Sequence, residues 1–212
     1  EELEKPHSME ETEQQENEIS KEQQDSQQSL EQNQKKKASE SQKKAGDKMK
    51  KMAEQMAAMQ MEMQQESIEM DIAALRALLE NLITLSFDQE QLMADFGKLT
   101  PKDGKYVKLG QKQRKLKDDM RMIEDSIHSL AKRIKEPQFS SMVNNELDQI
   151  NNNMNEAIAA IGERKTTTVG MHQQAGMTAV NNLALILSQM LDALNAQNNS
   201  NSENQGDGQC SK

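Results

Sequence analysis

The chain has 212 residues, a net charge of −9, 34% hydrophobic and 2% aromatic content, no Trp, one Tyr and three Phe. That length holds one sizeable domain with an extension. So few aromatic and β-branched residues argue against a β-rich or α/β core, while abundant Met, Gln, Glu, Lys, Ala and Leu favour helix. An acidic field repels phosphate and anionic headgroups, which argues against non-specific nucleic-acid binding. The lone Cys210 makes neither an internal disulfide nor a Cys-rich metal site. It reads as a free thiol on a tail, or an intermolecular disulfide in an oxidising compartment. No run approaches the ~20 apolar residues that span a bilayer, and no signal peptide is visible. The chain opens on Glu1 rather than Met, from which we expect a piece of a longer protein.

Residues 1–45 are Glu, Gln, Lys and Ser with sparse apolar positions, Leu3, Met9, Ile19 and Leu30, at no helical spacing. So little apolar surface predicts a disordered or fraying polar linker. A Met-rich helical extension over 46–66 follows. Met49, Met52, Met56, Met59 and Met63 step by three, four, three, four, the a/d seam of a coiled coil. The pattern then widens: Ile68, Ile72, Leu75, Leu79 and Leu82 form one stripe, and Leu78, Leu82, Leu85, Leu92 and Phe96 its neighbour. A narrow seam suits a two-helix contact and a wide face suits burial in a bundle. One uninterrupted helix over 49–96 would run ~70 Å.

Gly97 and Thr100-Pro101-Lys102-Asp103-Gly104 end that helix. A second helix from about Lys105 carries Leu109, Leu116, Met120, Ile123, Ile127, Leu130 and Ile134 on one heptad frame, with Gln113 its only polar seam residue. Pro137 closes it, either as a hairpin or as a kink in a longer helix. A third helix takes Val143, Leu147, Ile150, Met154, Ala157 and Ile161, and Gly162–Gly170 reads as a connection. The fourth takes Met177, Val180, Ala184, Leu187, Leu191 and Leu194, widened by Leu183, Ile186 and Met190. Matched lengths and short connections predict an all-α fold: an antiparallel four-helix bundle over 67–198 with a long N-terminal coiled-coil-like extension. The Asn/Ser/Gly tail over 199–212 reads as disordered.

Three strings carry a resemblance: ALRALLENLITLSFDQEQLM at 74–93, KLKDDMRMIEDSIHSLAKR at 115–133 and MTAVNNLALILSQML at 177–191. Together with the Asn-rich Gly-Gln-Cys-Ser-Lys end, residues 46–198 resemble the C-terminal region of large Bacteroidota membrane-anchored, Gln/Met-rich helical proteins that carry a domain of unknown function. The resemblance implies a cell-envelope protein anchored through upstream segments, with this segment soluble. It brings no catalytic residue. Some members are loosely labelled ATPases, yet Gly104 and Gly110 stand without the GK[ST] of a phosphate-binding loop.

Chemistry-bearing candidates are few. Asp125-x-x-His128 is similar to the Glu-x-x-His ligand pair of di-metal bundles, but the heptad frame puts both residues outward. His7 and His172 stand apart from it. Met61-x-Met63 with Met56 and Met59 offers soft thioethers for Cu(I), and a packing seam explains the same spacing. Glu66, Glu69, Asp71, Glu80, Asp88 and Glu90 read as a solvated face, since acid/base work needs a shielded pocket. No Gly-x-Ser-x-Gly is present and no nucleophile stands out. The expectation is therefore a non-enzymatic structural or protein-interaction module without cofactor. It would act through the seam Met49, Met52, Met56, Met59 and Met63 on a helical partner or a second copy, with no nucleic acid and no membrane insertion by this segment. The alternatives are a metal-binding helical protein, Cu(I) or di-metal, and an inactive appendage of an enzyme encoded upstream.

Overall fold

The computed structural model describes residues 7–100 and 102–206, with side chains described from 12 to 201. Among the described residues the chain forms five helices: α1 (His7–Glu31), α2 (Lys35–Gly97), α3 (Lys105–Ile134), α4 (Pro137–Gly162) and α5 (Thr166–Gly206). The chain divides into two compact units, Glu1–Glu66 and Ser67–Lys212, with α2 contributing to both.

In the first unit α1 and the leading part of α2 make an antiparallel hairpin. Asn33 turns it in the left-handed region at φ 58°, a conformation asparagine tolerates better than most residues. The Gln34 N–H donates to the Ser29 carbonyl at 2.7 Å and the Asn33 N–H to the Leu30 carbonyl at 3.0 Å, the two bonds of a Schellman motif. Lys48 then reaches Glu18 at 3.0 Å and Glu22 at 3.7 Å, and Gln15 donates to Gln55. The expected disordered or fraying linker over 1–45 is, across its described part, helix. Its inward line is polar: Thr12, Gln15, Ile19, Glu22, Ser26 and Ser29 are buried or half-buried at steps of three and four. They face Ala38, Ser41, Ala45, Lys48, Met52 and Met59, a line that is small at its start and longer beyond Ala45. A search for apolar spacing alone passes over such a seam, because Ile19 is the one apolar residue on its α1 line.

The second unit is the antiparallel four-helix bundle. Arg133 meets Asp71 at 2.7 Å across α2 and α3. Asn151 donates to Glu124 at 3.1 Å across α4 and α3. Asn182 donates to Glu146 at 3.4 Å across α5 and α4. Ser86 donates to Asn181 at 2.9 Å, which closes α2 onto α5. The heptad stripes become the core: Leu75, Leu82, Ile127, Val143, Ile150, Leu183 and Leu187 are fully buried, each worth roughly 1.5–3 kcal/mol of transfer free energy.

Pro137 resolves as a hairpin. It occupies the first turn of α4, where its missing N–H costs nothing, and Lys135 turns the chain at φ 55°. The connection expected over 162–170 shrinks to three residues. Arg164 takes the left-handed turn at φ 58°, and the Lys165 N–H donates to the Ala160 carbonyl, again in Schellman fashion. There the exposed Lys165 ammonium is held above its usual pKa by its hydrogen bond to Glu163 and by that carboxylate's charge. α5 continues through Gly206, beyond the point where a disordered tail was expected. Extending a nucleated helix fixes one residue per bond, so an Asn-rich sequence can still propagate it. Residues 207–212, including Cys210, lie outside the described residues.

One glycine is required by packing. A Cβ on Gly110 of α3 would sit 2.9 Å from the Ile161 Cγ2 of α4. Gly46, on α2, has open space around the same position. Gly110→Ala is therefore expected to destabilise the bundle by about 1–2 kcal/mol net, the overpacking strain exceeding the gain in helix propensity. Gly46→Ala is expected to stabilise its helix by roughly 0.5–1 kcal/mol. Urea unfolding of the bundle and helical ellipticity of the first unit check the pair.

Candidate interaction surfaces

The predicted methionine seam divides in two. Met52 and Met59 are half-buried and, with Met56, line a cavity of about 210 Å³ closed on α1 by Thr12 and Gln15. Met49, Met56 and Met63 are 43%, 48% and 62% exposed. They recur at steps of seven, so they form one line along α2. Met61 is also exposed, on another face. The extension therefore has a partner within the chain, α1, besides the helical partner or second copy expected from its sequence. α1 covers one edge of the seam and leaves a row of three methionines in water. Met70, seven residues beyond Met63, is likewise exposed, at 65%.

The second unit carries a groove between α2 and α3 that the sequence reading missed. It has three compartments. The first, about 470 Å³, is walled on α2 by Ala74, Ala77, Leu78 and Asn81 and on α3 by Asp125, Ser126, Ser129 and Arg133. The second, about 330 Å³, is walled by Asn81, Thr84, Leu85 and Asp88 and by Asp119, Met122, Ile123 and Ser126. The third, about 230 Å³, is walled by Asp88, Gln91 and Leu92 and by Lys112, Lys115, Leu116 and Asp119. Adjacent compartments share Asn81 and Ser126, then Asp88 and Asp119. Small and short polar walls keep the groove open, and Leu78, Leu85, Leu92, Leu116 and Ile123 give it an apolar floor. No periodicity on a single helix reveals such a feature, because it exists only once two helices are side by side.

The bundle interior holds one polar cluster. Gln113 is fully buried, and Gln89 and Gln173 nearly so. Gln89 and Gln113 exchange hydrogen bonds at 3.1 and 2.8 Å, and Gln173 donates to the Gln113 carbonyl oxygen at 2.9 Å. Three helices are thereby tied through one side chain. The Gln173 Oε1 has no protein partner.

The remaining candidates do not converge. His128 is 44% exposed and stands 3.7 Å from Glu124. His172 meets Asn153 at 3.2 Å. The side chain of His7 lies outside the described residues. Among the described residues no group of three or more His, Cys, Asp or Glu could hold a metal ion. Of the carboxylates read as a solvated face, Asp71 departs: it is buried and paired with Arg133, a tie between α2 and α3.

These surfaces define an all-helical protein with exposed methionine-rich patches. Scans of family models, of curated proteins and of solved structures each return no match to it. Among the described residues no helix is long and apolar enough to cross a membrane. The membrane-anchored, cell-envelope expectation drawn from the resemblance is corrected to that extent: no anchor lies among the described helices.

Proposed function

We propose that the protein is a non-enzymatic helix–helix association module whose docking surface is the row Met49, Met56 and Met63, with Met52 and Met59 at its edge. The observation that carries this reading is the exposure of three methionines, at 43%, 48% and 62%, on one line of one helix. An apolar row left in water favours a partner. Methionine's flexible thioether lets the row adapt to helices of different shape. Replacing all three by Gln keeps length and helix propensity and removes the apolar surface. The expected result is an unchanged urea midpoint for the bundle and binding of a synthetic Leu-seamed heptad peptide weakened by about tenfold or more, read by fluorescence anisotropy. Unchanged peptide binding, or unfolding of the bundle, overturns the reading.

A second reading rests on the cavity under α1. Met52, Met56 and Met59 line it together, and three thioethers make a soft donor set for Cu(I). Titration with Cu(I) in a reducing buffer decides between the two. One ion per chain, lost on converting the three methionines to Leu, favours metal binding. No stoichiometric uptake removes it.

A further inference from the structure

Two heptad seams overlap on the leading part of α2. The seam that faces α1 runs through Ala38, Ser41, Ala45, Lys48, Met52 and Met59. The methionine seam runs through Met49, Met52, Met56, Met59 and Met63. They share one line, that of Met52 and Met59. A two-helix coiled coil seats its partner over both lines of a seam, because each knob enters a hole made by residues of both. While α1 is in place, the row Met49, Met56 and Met63 is half a seam, and its other line is taken.

α1 holds that shared line weakly. Near the turn the two helices meet closely: Ser26, Ala38 and Ala45 are 4%, 1% and 4% exposed, and the Ser26 hydroxyl donates to the Ala38 carbonyl at 3.2 Å. Toward the start of α1 the fit loosens. Thr12 and Gln15 stand over Met52, Met56 and Met59, and a cavity of about 210 Å³ is left between the helices. Ile19 is the one apolar residue of the inward line. The ion pairs of Lys48 with Glu18 and Glu22, at 3.0 and 3.7 Å, are partly exposed, and such pairs contribute little. A helix end with so few apolar contacts opens at low cost. Nor does α1 offer a third helix an apolar edge there. Up to Asp25 its inward line is flanked by Glu16 and Gln23 on one side and by Glu18 and Asp25 on the other, all exposed. A helix lying beside α1 would leave half of its own apolar seam in water.

We propose that α1 is an autoinhibitory strap hinged at Asn33. Its leading half lies on the methionine seam as a weak stand-in, and a partner helix with an apolar heptad seam displaces it to reach Met52 and Met59. The proposal rests on the functional reading above and deepens it by naming what regulates the surface. The incoming helix sets apolar side chains where Thr12 and Gln15 stood, over the same methionines, and fills the space that α1 leaves. The exchange adds apolar burial and gives up polar contacts that water replaces. The close contact at Ser26 and Ala38 keeps the displaced strap attached at its turn, ready to return when the partner leaves. Every contact involved lies within the first unit.

Two variants of the whole chain test the strap from opposite sides. Gln15→Cys/Gln55→Cys, in a Cys210→Ser background, puts thiols where two glutamines are hydrogen-bonded across the hairpin. Joining them with a short bismaleimide, and isolating the monomeric product by gel filtration, locks the strap; the unjoined protein is its control. Ile19→Gln/Glu18→Lys/Glu22→Lys loosens the strap through α1 alone and leaves every residue of the methionine seam in place. The urea midpoint verifies that the bundle of each is intact. Binding of the Leu-seamed heptad peptide, read by fluorescence anisotropy, is expected to tighten by about tenfold or more in the loosened variant and to weaken by about tenfold or more on joining. In the wild type, hydrogen exchange is expected to show the amides from Thr12 to Glu22 losing protection when the peptide binds, while Ala38 and Ala45 keep theirs. A joined protein that binds as the unjoined one does overturns the proposal alone, and so do Thr12–Glu22 amides that stay protected in the complex. The peptide then lies on the exposed row beside α1, and the functional reading stands. A peptide that binds none of the wild-type, unjoined and loosened proteins sinks the functional reading itself.

Discussion

Gln113→Ala is expected to cost the bundle roughly 3–5 kcal/mol, from stranded polar groups together with a cavity. Gln113 sits fully buried at the meeting point of three helices. Its carbonyl oxygen accepts from Gln89 and Gln173, and its amide donates to Gln89. Removing it leaves the Gln89 side chain without its buried partner and the Gln173 amide without an acceptor. Each stranded group costs about 1–3 kcal/mol because it has left water and found nothing instead. For a domain whose whole stability is of order 5–15 kcal/mol, that is a large fraction. Urea denaturation followed by ellipticity measures it, with an unchanged dependence on denaturant showing that the folded state is otherwise intact.

Converting Gln89, Gln113 and Gln173 together to Leu is expected to behave differently. No polar group is stranded, and three apolar side chains of similar size enter the core, so stability should hold or rise. What the triple variant gives up is registration. The glutamines form their bonds only when α2, α3 and α5 are at one relative height, whereas heptad leucines pack acceptably one turn out of step. Broadened side-chain resonances alongside undiminished stability would show that the cluster specifies the arrangement rather than strengthening it.

How much of this was legible beforehand depends on whether a feature is local to one helix. The bundle stripes were visible because each helix repeats its apolar residues every three or four positions, and burial follows that repeat from Leu75 to Met190. Gln113 stood out as a polar residue on an apolar seam, but its partners lie 24 and 60 residues away. No spacing rule links them. α1 escaped notice for the opposite reason. Its inward line is regular but polar, and serine and alanine seams such as Ser26 against the Ala38 carbonyl at 3.2 Å work by close approach rather than by apolar area. The five-methionine seam was read as one line. Coverage by α1 splits it, because Met52 and Met59 share the heptad line of Ala38 and Ala45, and Met49, Met56 and Met63 fall on the line beside it.

Phe96→Ala is expected to cost about 3–5 kcal/mol, the loss for truncating a buried phenylalanine. Phe96 is buried in the last turn of α2 and Tyr106 in the first turns of α3. Their rings meet edge to face, with centroids 5.3 Å apart and planes at 82°, a geometry worth about 0.5–1.5 kcal/mol beyond burial. The Arg164 guanidinium lies over the Tyr106 ring at 5.7 Å, so the turn between α4 and α5 rests on the same pair. The three residues close one end of the bundle, where two connections meet, and truncating Phe96 removes the ring on which Tyr106 is seated. Tyr106→Phe provides the contrast. The Tyr106 hydroxyl is buried without a protein partner, so deleting it removes a desolvated polar atom and keeps both ring contacts. Stability is then expected to hold or rise slightly. Because Tyr106 is the only tyrosine and the chain has no tryptophan, its fluorescence reports unfolding at this end in the wild type and in Phe96→Ala. Ellipticity serves for Tyr106→Phe. A Tyr106→Phe variant as unstable as Phe96→Ala would mean that the hydroxyl, and not the ring stack, holds the end together.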